Sequence, residues 1–408
     1  MANKIFLVTK LGTTNIGNQA LSNEIINLFI SQVGENNIIV GGRPLGLLLY
    51  DFKKMQKSDK PVELLESWAD RIIRKYENEK GSKIFRPKLN FVKLVTNSSP
   101  ELKYEGIKKF LRPLKKRIKK YFLYEKSYKK RLDQINSSDV LIYSGAGEVG
   151  DTIVFLRQLL EIRIAQKLGI KTGAVNQSVV VKSEVFKKLL SHVYGKMERV
   201  VVRGKVSKEL LAECGLIPEK ISLAPDTAIL TTAIKLNREN KVGINFTPNI
   251  KFNADKIRVV IEHLRNYGNE IYFVTNEPIG DIQIGKELIQ NYDIQIFPQI
   301  ESYLEYASKL SQFKYIISTR LHTNILALAS EVPIIALEGN QFKTSELLDQ
   351  LDYPVPVINA YKDGWMDVLN EEIDKLESGK YNHNDYFSII LPAAKQKVKL
   401  NAEWLKEI

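Results

Sequence analysis

The sequence is poor in the residues that disulfides, metal centres and membrane spans require. Its 408 residues include one cysteine, Cys214, and four histidines. A single thiol excludes an internal disulfide, and no two histidines have the spacing of metal ligands, so we expect no metal and no cofactor. No apolar run approaches the roughly 18 residues of a membrane span, and no signal peptide is recognisable. We therefore expect a soluble, cytoplasmic protein.

Acidic residues are also scarce relative to basic ones, which leaves a net charge of +13 at pH 7. Much of the excess lies in residues 103–131, where lysines and arginines up to Arg131 are interspersed with apolar residues at helical spacing. This pattern is typical of a basic amphipathic helix at the inner face of an anionic membrane, and equally of a solvated helix that covers the N-terminal half. Both interpretations stay open at this point. No nucleic-acid-binding motif accompanies the charge, so we expect no nucleic-acid partner.

Strand and helix patterns alternate along most of the chain, which predicts an α/β fold with parallel sheets. The length exceeds what one core usually supports, and a polar stretch at 231–241 separates two alternating halves. We predict Rossmann-like domains at 1–235 and 236–385 that face each other across a cleft, as in glycosyltransferase B enzymes. A helical basic insertion is predicted at about 42–135, and a C-terminal helix at 386–408 that packs back against the first domain.

The segment 316–337 carries the most specific pattern. It predicts a buried strand, a turn with Arg320 and His322, an Ala- and Leu-rich helix, and a second buried strand after Pro333. Ligands of open α/β sheets bind at the carboxyl ends of the strands, where helix N-termini favour anions. A guanidinium beside an imidazole at this place suits a substrate that bears phosphate or carboxylate. The alternative is that Arg320 pairs with a carboxylate while His322 only packs.

A Gly- and Asn-rich turn follows the first predicted strand and contains Asn15, Gly17 and Asn18. Glycine lets the backbone approach a ligand, and N–H groups at a helix start bind ligand oxygens. The turn has neither a Walker sequence nor a Gly-x-Gly-x-x-Gly sequence. We interpret these three residues as substrate-binding residues.

A second glycine-rich turn follows the predicted strand at 140–143 and contains Gly145, Gly147 and Glu148. Carboxylates accept hydrogen bonds well from vicinal hydroxyls, so Glu148 could orient a sugar. For Asp151, at the end of the same turn, we favour a capping role on the helix that begins at Thr152.

Arg203 ends a third hydrophobic strand directly before a predicted helix, for which Ser207 is the expected N-cap. Its position at a strand end again suits an anion, and the alternative is an ion pair with a nearby acidic residue. Asp226 ends the next strand, where we favour a role as a cap or a hinge support.

These segments, in this order, resemble the polysaccharide pyruvyl transferase family. The C-terminal signature of that family is similar to Arg320-Leu321-His322 at the start of an Ala-rich helix that runs into a strand. Its Asn-x-Gly-Asp/Asn element is similar to residues 15–18, in which Asn18 replaces the carboxylate of many members. Further matches to the family pattern are Arg203, Pro225-Asp226 and Lys343.

The resemblance implies a transferase that moves the enolpyruvyl unit of phosphoenolpyruvate onto a sugar and forms a pyruvate ketal. The acceptor would be a cell-surface polysaccharide or its lipid-linked precursor. Arg203 and Arg320 would bind the carboxylate and phosphate of the donor from opposite sides, with Lys343 adding positive charge. His322 is the expected general acid–base residue, because imidazole titrates near neutral pH.

Two other functions remain open from the residues alone. A nucleotide-sugar glycosyltransferase of the same fold needs a carboxylate for the ribose, and Glu338 or Glu346 could supply it. A non-catalytic protein that docks on a membrane or polyanion through residues 103–131 is the third hypothesis.

Overall fold

The structure is a computed structural model that describes residues 3–43, 52–78, 128–145, 149–246, 254–298, 300–339 and 342–408. Residues 79–127, which include most of the predicted basic segment, lie outside the described residues, as do Gly147 and Glu148.

Short parallel strands form the centre of the first half. They are β1 (Ile5–Val8), β2 (Ile38–Gly41), β3 (Val140–Ser144), β4 (Val149–Gly150), β5 (Lys171–Gln177), β6 (Val179–Val180), β7 (Arg199–Val202) and β8 (Ile221–Leu223). Six of them form one parallel sheet in the order β2-β1-β3-β5-β7-β8, and β4 pairs with β6. The central strands are buried along their length, as expected when helices cover both faces of a parallel sheet.

Helices follow the strands of this half. They are α1 (Ile16–Val33), α2 (Phe52–Gln56), α3 (Pro61–Asn78), α4 (residues 128–136), α5 (Ile153–Lys167), α6 (Glu184–Tyr194) and α7 (Lys205–Glu213). A 3₁₀ turn at Thr227–Leu230 follows β8. Polar caps fix several helix starts: Asn15 accepts a hydrogen bond from the backbone N–H of Asn18 at the start of α1, over 2.9 Å.

The second half repeats the plan with a five-stranded parallel sheet. Its strands are β9 (Lys241–Asn245), β10 (Glu270–Phe273), β11 (Gln295–Ile296), β12 (Tyr315–Ser318) and β13 (Ile334–Ala336), in the order β11-β10-β9-β12-β13. Its helices are α8 (Ala254–Asn266), α9 (Pro278–Tyr292), α10 (Tyr303–Leu310), α11 (Leu321–Ala329), α12 (Lys343–Gln350) and α13 (Trp365–Glu377). In both sheets the strand order reverses beside the first strand of the half, which is where doubly wound sheets bind ligands.

A series of short helical turns ends the chain. It comprises α14 (His383–Asp385), a π-helical turn at Tyr386–Ile390, α15 (Leu391–Gln396), α16 (Leu400–Glu403) and 3₁₀ turns at Lys397–Lys399 and Trp404–Glu407. This segment contacts the first half, because Asn401 accepts a hydrogen bond from the backbone N–H of Asn176 (3.2 Å) and the Trp404 ring lies against Gly173 in β5. Within the part of the chain that the structure describes, no helix combines the length and the apolar character needed to cross a membrane.

One apolar core runs through both halves without a break. It includes buried side chains of β1 and α1 from the first half, and of α10, α11 and β13 from the second. Loops at the carboxyl ends of the two sheets also meet, since the backbone N–H of Ile16 after β1 donates to the carbonyl of Asn276 after β10 (3.0 Å).

Three local interpretations of the sequence are wrong. Arg131 does not lie on a solvated basic face, since it forms a bidentate ion pair with the buried carboxylate of Glu161 (2.6 Å). Thr152, through its own hydroxyl, caps α5, whereas Asp151 accepts the backbone N–H of Ser183 (2.9 Å) before α6. Ser207 is not the N-cap of α7, which begins two residues earlier after Gly204.

Candidate functional site

His322 lies at the seam between the two halves. It belongs to the first turn of α11, directly after β12, and its ring packs against Gly17 at the start of α1. An added Cβ at position 17 would overlap the imidazole, so only glycine permits this approach. The Nε2 atom of His322 is buried and has no hydrogen-bond partner among the described residues.

A charged atom of the opposite half lies close to that nitrogen. Oδ2 of Asp226 lies 3.7 Å from His322 Nε2 and forms an ion pair with Arg203. Burial by itself raises the pKa of a carboxyl group, but the positive charge of Arg203 and the contact with His322 outweigh it. The pKa of Asp226 is therefore held well below its ordinary value. Arg203 and His322 thus meet at one carboxylate.

Arg203 is fixed in place by residues of its own half. Its Nε and Nη2 donate to the hydroxyl of Ser178 (3.0 and 2.8 Å), and Nη1 donates to Asp226. Its side chain is 3% exposed, so the ion pair that the sequence left as an alternative is present. Ser178 reaches the guanidinium because β5 is irregular at its end, where Asn176 adopts a left-handed conformation with φ of 55°. Asparagine tolerates that conformation better than most residues.

Arg320 has the same arrangement in the second half. Its Nε donates to Asp281 (3.0 Å), and Nη2 donates to the other oxygen of the same fully buried carboxylate. Thr275 also donates to Asp281 (2.6 Å), which holds the acceptor in place. The Arg320 side chain is 26% exposed, and hydrogen bonds within the described chain leave its Nη1 without a partner.

The loop after β1 meets the second half directly. The side-chain amide of Asn15 donates to the carboxylate of Glu277, and the backbone N–H of Ile16 donates to the carbonyl of Asn276 (3.0 Å). Both polar groups of the Asn15 side chain therefore have partners: its oxygen caps α1, and its nitrogen contacts the second half. Asn18 is half-buried one turn away, at the start of α1.

The second glycine-rich turn is described only at its start. Gly145 lies against the carboxamide of Gln177, which would overlap a Cβ at that position. Oε1 of Gln177 and the hydroxyl of Ser144 are buried without a hydrogen-bond partner among the described residues. These two polar atoms lie at the carboxyl ends of neighbouring strands, β3 and β5, on the side of the cleft that belongs to the first half.

The remaining predicted residues lie on or before α12. Lys343 is the first residue of α12 and is half-buried. Glu338 accepts the backbone N–H groups of Thr344 (3.3 Å) and Ser345 (3.0 Å), so it caps this helix. Glu346 accepts the backbone N–H (2.6 Å) and the hydroxyl (3.0 Å) of Ser207.

Glu346 belongs to the second half, yet it is a hydrogen-bond acceptor for the first turn of α7 in the first half. The N-cap residue of α7, Gly204, has no side chain that could take this role. Its side chain packs against Gly204, directly after Arg203, and would overlap a Cβ there. Burial raises the pKa of Glu346, although the two hydrogen bonds from Ser207 oppose that effect. The helix that follows Arg203 is thus held by the second half.

Asp226 caps the turn at Thr227–Leu230, so its predicted role as a cap is confirmed. Sequence reasoning missed its contact with His322, missed the pairing of Asp281 with Arg320, and considered Glu346 only as a ribose ligand. Asp281 lies in a helix with no motif around it, and its pairing with Arg320 depends on the neighbouring strands. The one available signal was at Asp226, which follows proline at a strand end beside Arg203 on the neighbouring strand. Together these groups place two guanidinium groups and an imidazole around the junction of the halves, which suits a small polyanion.

The comparisons with known proteins agree with this architecture. Among solved structures, the chain is similar to HepE from Anabaena in complex with UDP, at 10% identity and a TM-score of 0.52, covering 99% of this chain and 98% of that one. It is similar to UDP-N-acetylglucosamine 2-epimerases from Neisseria meningitidis (12% identity, TM-score 0.52, 99% and 100% covered) and Rickettsia bellii (14%, 0.50, 100% and 96%). At these identities the likeness shows the fold alone, which is of the glycosyltransferase B type.

Sequence comparison is more specific about the family. No curated protein matches the chain. The sequence model of the family described as polysaccharide pyruvyl transferase matches residues 18–340, well over half of the chain. The matched range includes Arg203, Asp226, Arg320 and His322 and ends just before Lys343. The protein therefore belongs to the polysaccharide pyruvyl transferase family.

Proposed function

We propose that this protein transfers the enolpyruvyl unit of phosphoenolpyruvate to a sugar of a polysaccharide or its lipid-linked precursor, and that it closes a pyruvate ketal. The observation that carries the proposal is the buried Nε2 of His322, which has no hydrogen bond among the described residues and lies at a seam that also holds Arg203 and Arg320. A buried polar atom without a hydrogen bond is costly, and a donor substrate would supply the missing one.

The proposed chemistry begins with a proton on His322. Nε2 gives this proton to the methylene carbon of phosphoenolpyruvate, which leaves C2 electron-poor. A sugar hydroxyl attacks C2 and returns its proton to the imidazole. Phosphate then leaves with the electron pair of its bond to C2, and a second hydroxyl attacks the same carbon, gives its proton to the released phosphate and closes the ring. The products are one ketal and one phosphate for each donor and diol.

The two arginines would hold the donor during these steps. Nη1 of Arg320 is available to an anion, and its guanidinium is already oriented by Asp281. Arg203, which shares Asp226 with His322, would approach the donor from the other half. A charge-assisted hydrogen bond contributes about 1.5–3 kcal/mol, and positive charge at the phosphate also stabilises the leaving group.

The direct test is incubation with phosphoenolpyruvate and a panel of glycosides that carry free vicinal or 4,6-diols. We expect phosphate release that depends on the acceptor, and a matching gain of one pyruvate less one water on the sugar by mass spectrometry. Phosphate release without a modified sugar, or no turnover with any glycoside or lipid-linked acceptor, would count against the proposal.

His322→Gln tests the role of the imidazole. General acid–base groups contribute about 10²–10⁴-fold, so we expect kcat to fall by that factor while binding of phosphoenolpyruvate, measured by calorimetry, is retained. The matched control is His263→Gln, because His263 also pairs with an aspartate, Asp374 (2.7 Å), but on the exposed surface. Lost affinity with preserved turnover would reverse the assignment.

A nucleotide-sugar glycosyltransferase is less well supported. The two carboxylates that the sequence offered for a ribose already accept hydrogen bonds, Glu338 from the start of α12 and Glu346 from Ser207. A ligand that binds the folded protein raises its melting temperature. Stabilisation by phosphoenolpyruvate would therefore support the pyruvyl transferase, and stabilisation by UDP would support the glycosyltransferase.

A further inference from the structure

We propose that Asp226 is a positioning residue that connects the two halves of the site: one of its oxygens holds Arg203 and faces the Nε2 atom of His322. This inference rests on the proposed function, in which these two residues act on the same donor. Its geometric part can be tested without turnover.

The two oxygens of Asp226 have different surroundings. Oδ1 accepts the backbone N–H of Ala228 (2.9 Å), which fixes the carboxylate on the turn after β8. Oδ2 accepts from Nη1 of Arg203 and lies 3.7 Å from Nε2 of His322. The residue is fully buried, so neither oxygen is open to solvent or to a sugar. Asp226 is thus placed to act through its neighbours and not on the substrate.

The distance to His322 defines the kind of interaction. At 3.7 Å the pair is longer than a hydrogen bond, yet a carboxylate at this separation attracts an imidazole nitrogen that carries a proton. The ring is thus placed with Nε2 facing the carboxylate that also holds Arg203. Among the elements packed here, the turn after β8 presents Asp226 with its partner Arg203, the start of α11 carries Arg320, and α1 presents the backbone of Gly17.

Asp281 provides a matched comparison within the same molecule. It is equally buried and also pairs with a site arginine, Arg320. It also accepts hydrogen bonds from Thr275 (2.6 Å) and Asn245 (3.3 Å), and its ion pair is with Arg320. If Asp226 does more than hold an arginine, its replacement should affect His322, and replacement of Asp281 should not.

The experiment records the ring-nitrogen chemical shifts of His322 by long-range ¹H–¹⁵N NMR at a fixed pH. The chain has only four histidines, and His322→Gln assigns the signal. We expect Asp226→Asn to change the Nε2 chemical shift of His322, because this nitrogen loses the carboxylate that it faces at 3.7 Å. We expect Asp281→Asn to leave that chemical shift unchanged. In steady-state assays, Asp226→Asn should lower kcat, whereas Asp281→Asn should mainly raise KM for phosphoenolpyruvate.

A second variant guards against misfolding, since Asp226→Asn leaves a buried guanidinium without its partner. The double variant Arg203→Gln/Asp226→Asn removes both charges, and we expect the Nε2 chemical shift of His322 to change there as well. An unchanged Nε2 chemical shift in either folded variant overturns the proposal. A changed chemical shift in a protein that shows no turnover of phosphoenolpyruvate would support the Asp226 contact and reject the proposed function.

Discussion

At the scale of residues, the site consists of charged groups that are each held by a buried partner. Arg203 is held by Asp226 and Arg320 by Asp281, so both guanidinium planes are oriented before any ligand arrives. Such preorganisation reduces the cost of ordering side chains when a substrate binds. The consequence is that geometry, as well as charge, matters at both arginines.

Arg320→Lys tests this point, because lysine keeps the charge but cannot form the bidentate pair with Asp281. We expect KM for phosphoenolpyruvate to rise by about 10- to 100-fold, the equivalent of losing one charge-assisted contact. Steady-state kinetics measure the change, and Arg258→Lys, at an exposed position on α8, is the control. An unchanged KM would show that Arg320 does not contact the donor.

Glu346 gives a prediction about pH and stability. Burial raises its pKa above the ordinary value of 4.5, so the folded protein binds this proton more tightly than the unfolded chain does. The resulting stabilisation is fully present below about pH 4.5 and is lost as the pH rises through the folded-state pKa.

Glu346→Gln has no such proton and keeps an acceptor for Ser207. The free energy of unfolding of the wild type, relative to this variant, should therefore fall as the pH is raised from about 4.5 to 7. Urea titrations across that range measure the difference. Glu213→Gln, at an exposed position on α7, should show no such trend. A difference that grows with pH would contradict the raised pKa.

At the scale of elements, the two halves meet through glycines at helix starts. Gly17 in α1 receives His322, and Gly204 before α7 receives Glu346. Glycine is normally unfavourable within a helix, by roughly 1 kcal/mol relative to alanine, so Gly17 has a local cost that the contact with His322 offsets.

Gly17→Ala should consequently have opposite effects on the helix and on the enzyme. Alanine favours α1 by itself, but its Cβ would displace the imidazole, and we expect at least a tenfold loss of kcat/KM. Gly42→Ala is the control, since the nearest atom to an added Cβ there is 4.0 Å away. Full activity of Gly17→Ala would mean that His322 is not required in its observed place.

The sequence anticipates these elements better than their contacts. The strand, turn and helix around Arg320 and His322 follow from local patterns, because buried strands and amphipathic helices differ in period. The partners of the charged residues do not follow, since Asp281 is 39 positions from Arg320 and Glu346 is 139 from Ser207. Ser207 shows the difference clearly: it has the residue type of an N-cap, yet the second half supplies the acceptor for its helix.

At the scale of the whole molecule, the continuous core distinguishes this protein from one with freely hinged domains. Interfaces between domains are usually modest and polar, whereas here buried apolar side chains extend from β1 across α11 to β13. The C-terminal segment adds to the connection, since it follows the second half and places Trp404 on β5. We therefore expect the two halves to unfold together.

Urea denaturation tests this expectation. Fluorescence from the three tryptophans and far-UV circular dichroism should report one coincident transition. Trp404→Ala should lower the free energy of unfolding by about 3–5 kcal/mol and keep a single transition, and Trp404→Phe should cost less. Two separate transitions in the wild type would show that the halves are energetically independent.

The proposed role of the cleft is tested most directly by the fate of one solvent proton. When the wild type acts on phosphoenolpyruvate and a glycoside in D₂O, we expect the ketal methyl group to carry one deuterium, with one phosphate released per product. His322→Gln should form this product far more slowly. A ketal methyl group without deuterium, or equal rates in the two proteins, would contradict protonation of the donor by the imidazole at the junction of the halves.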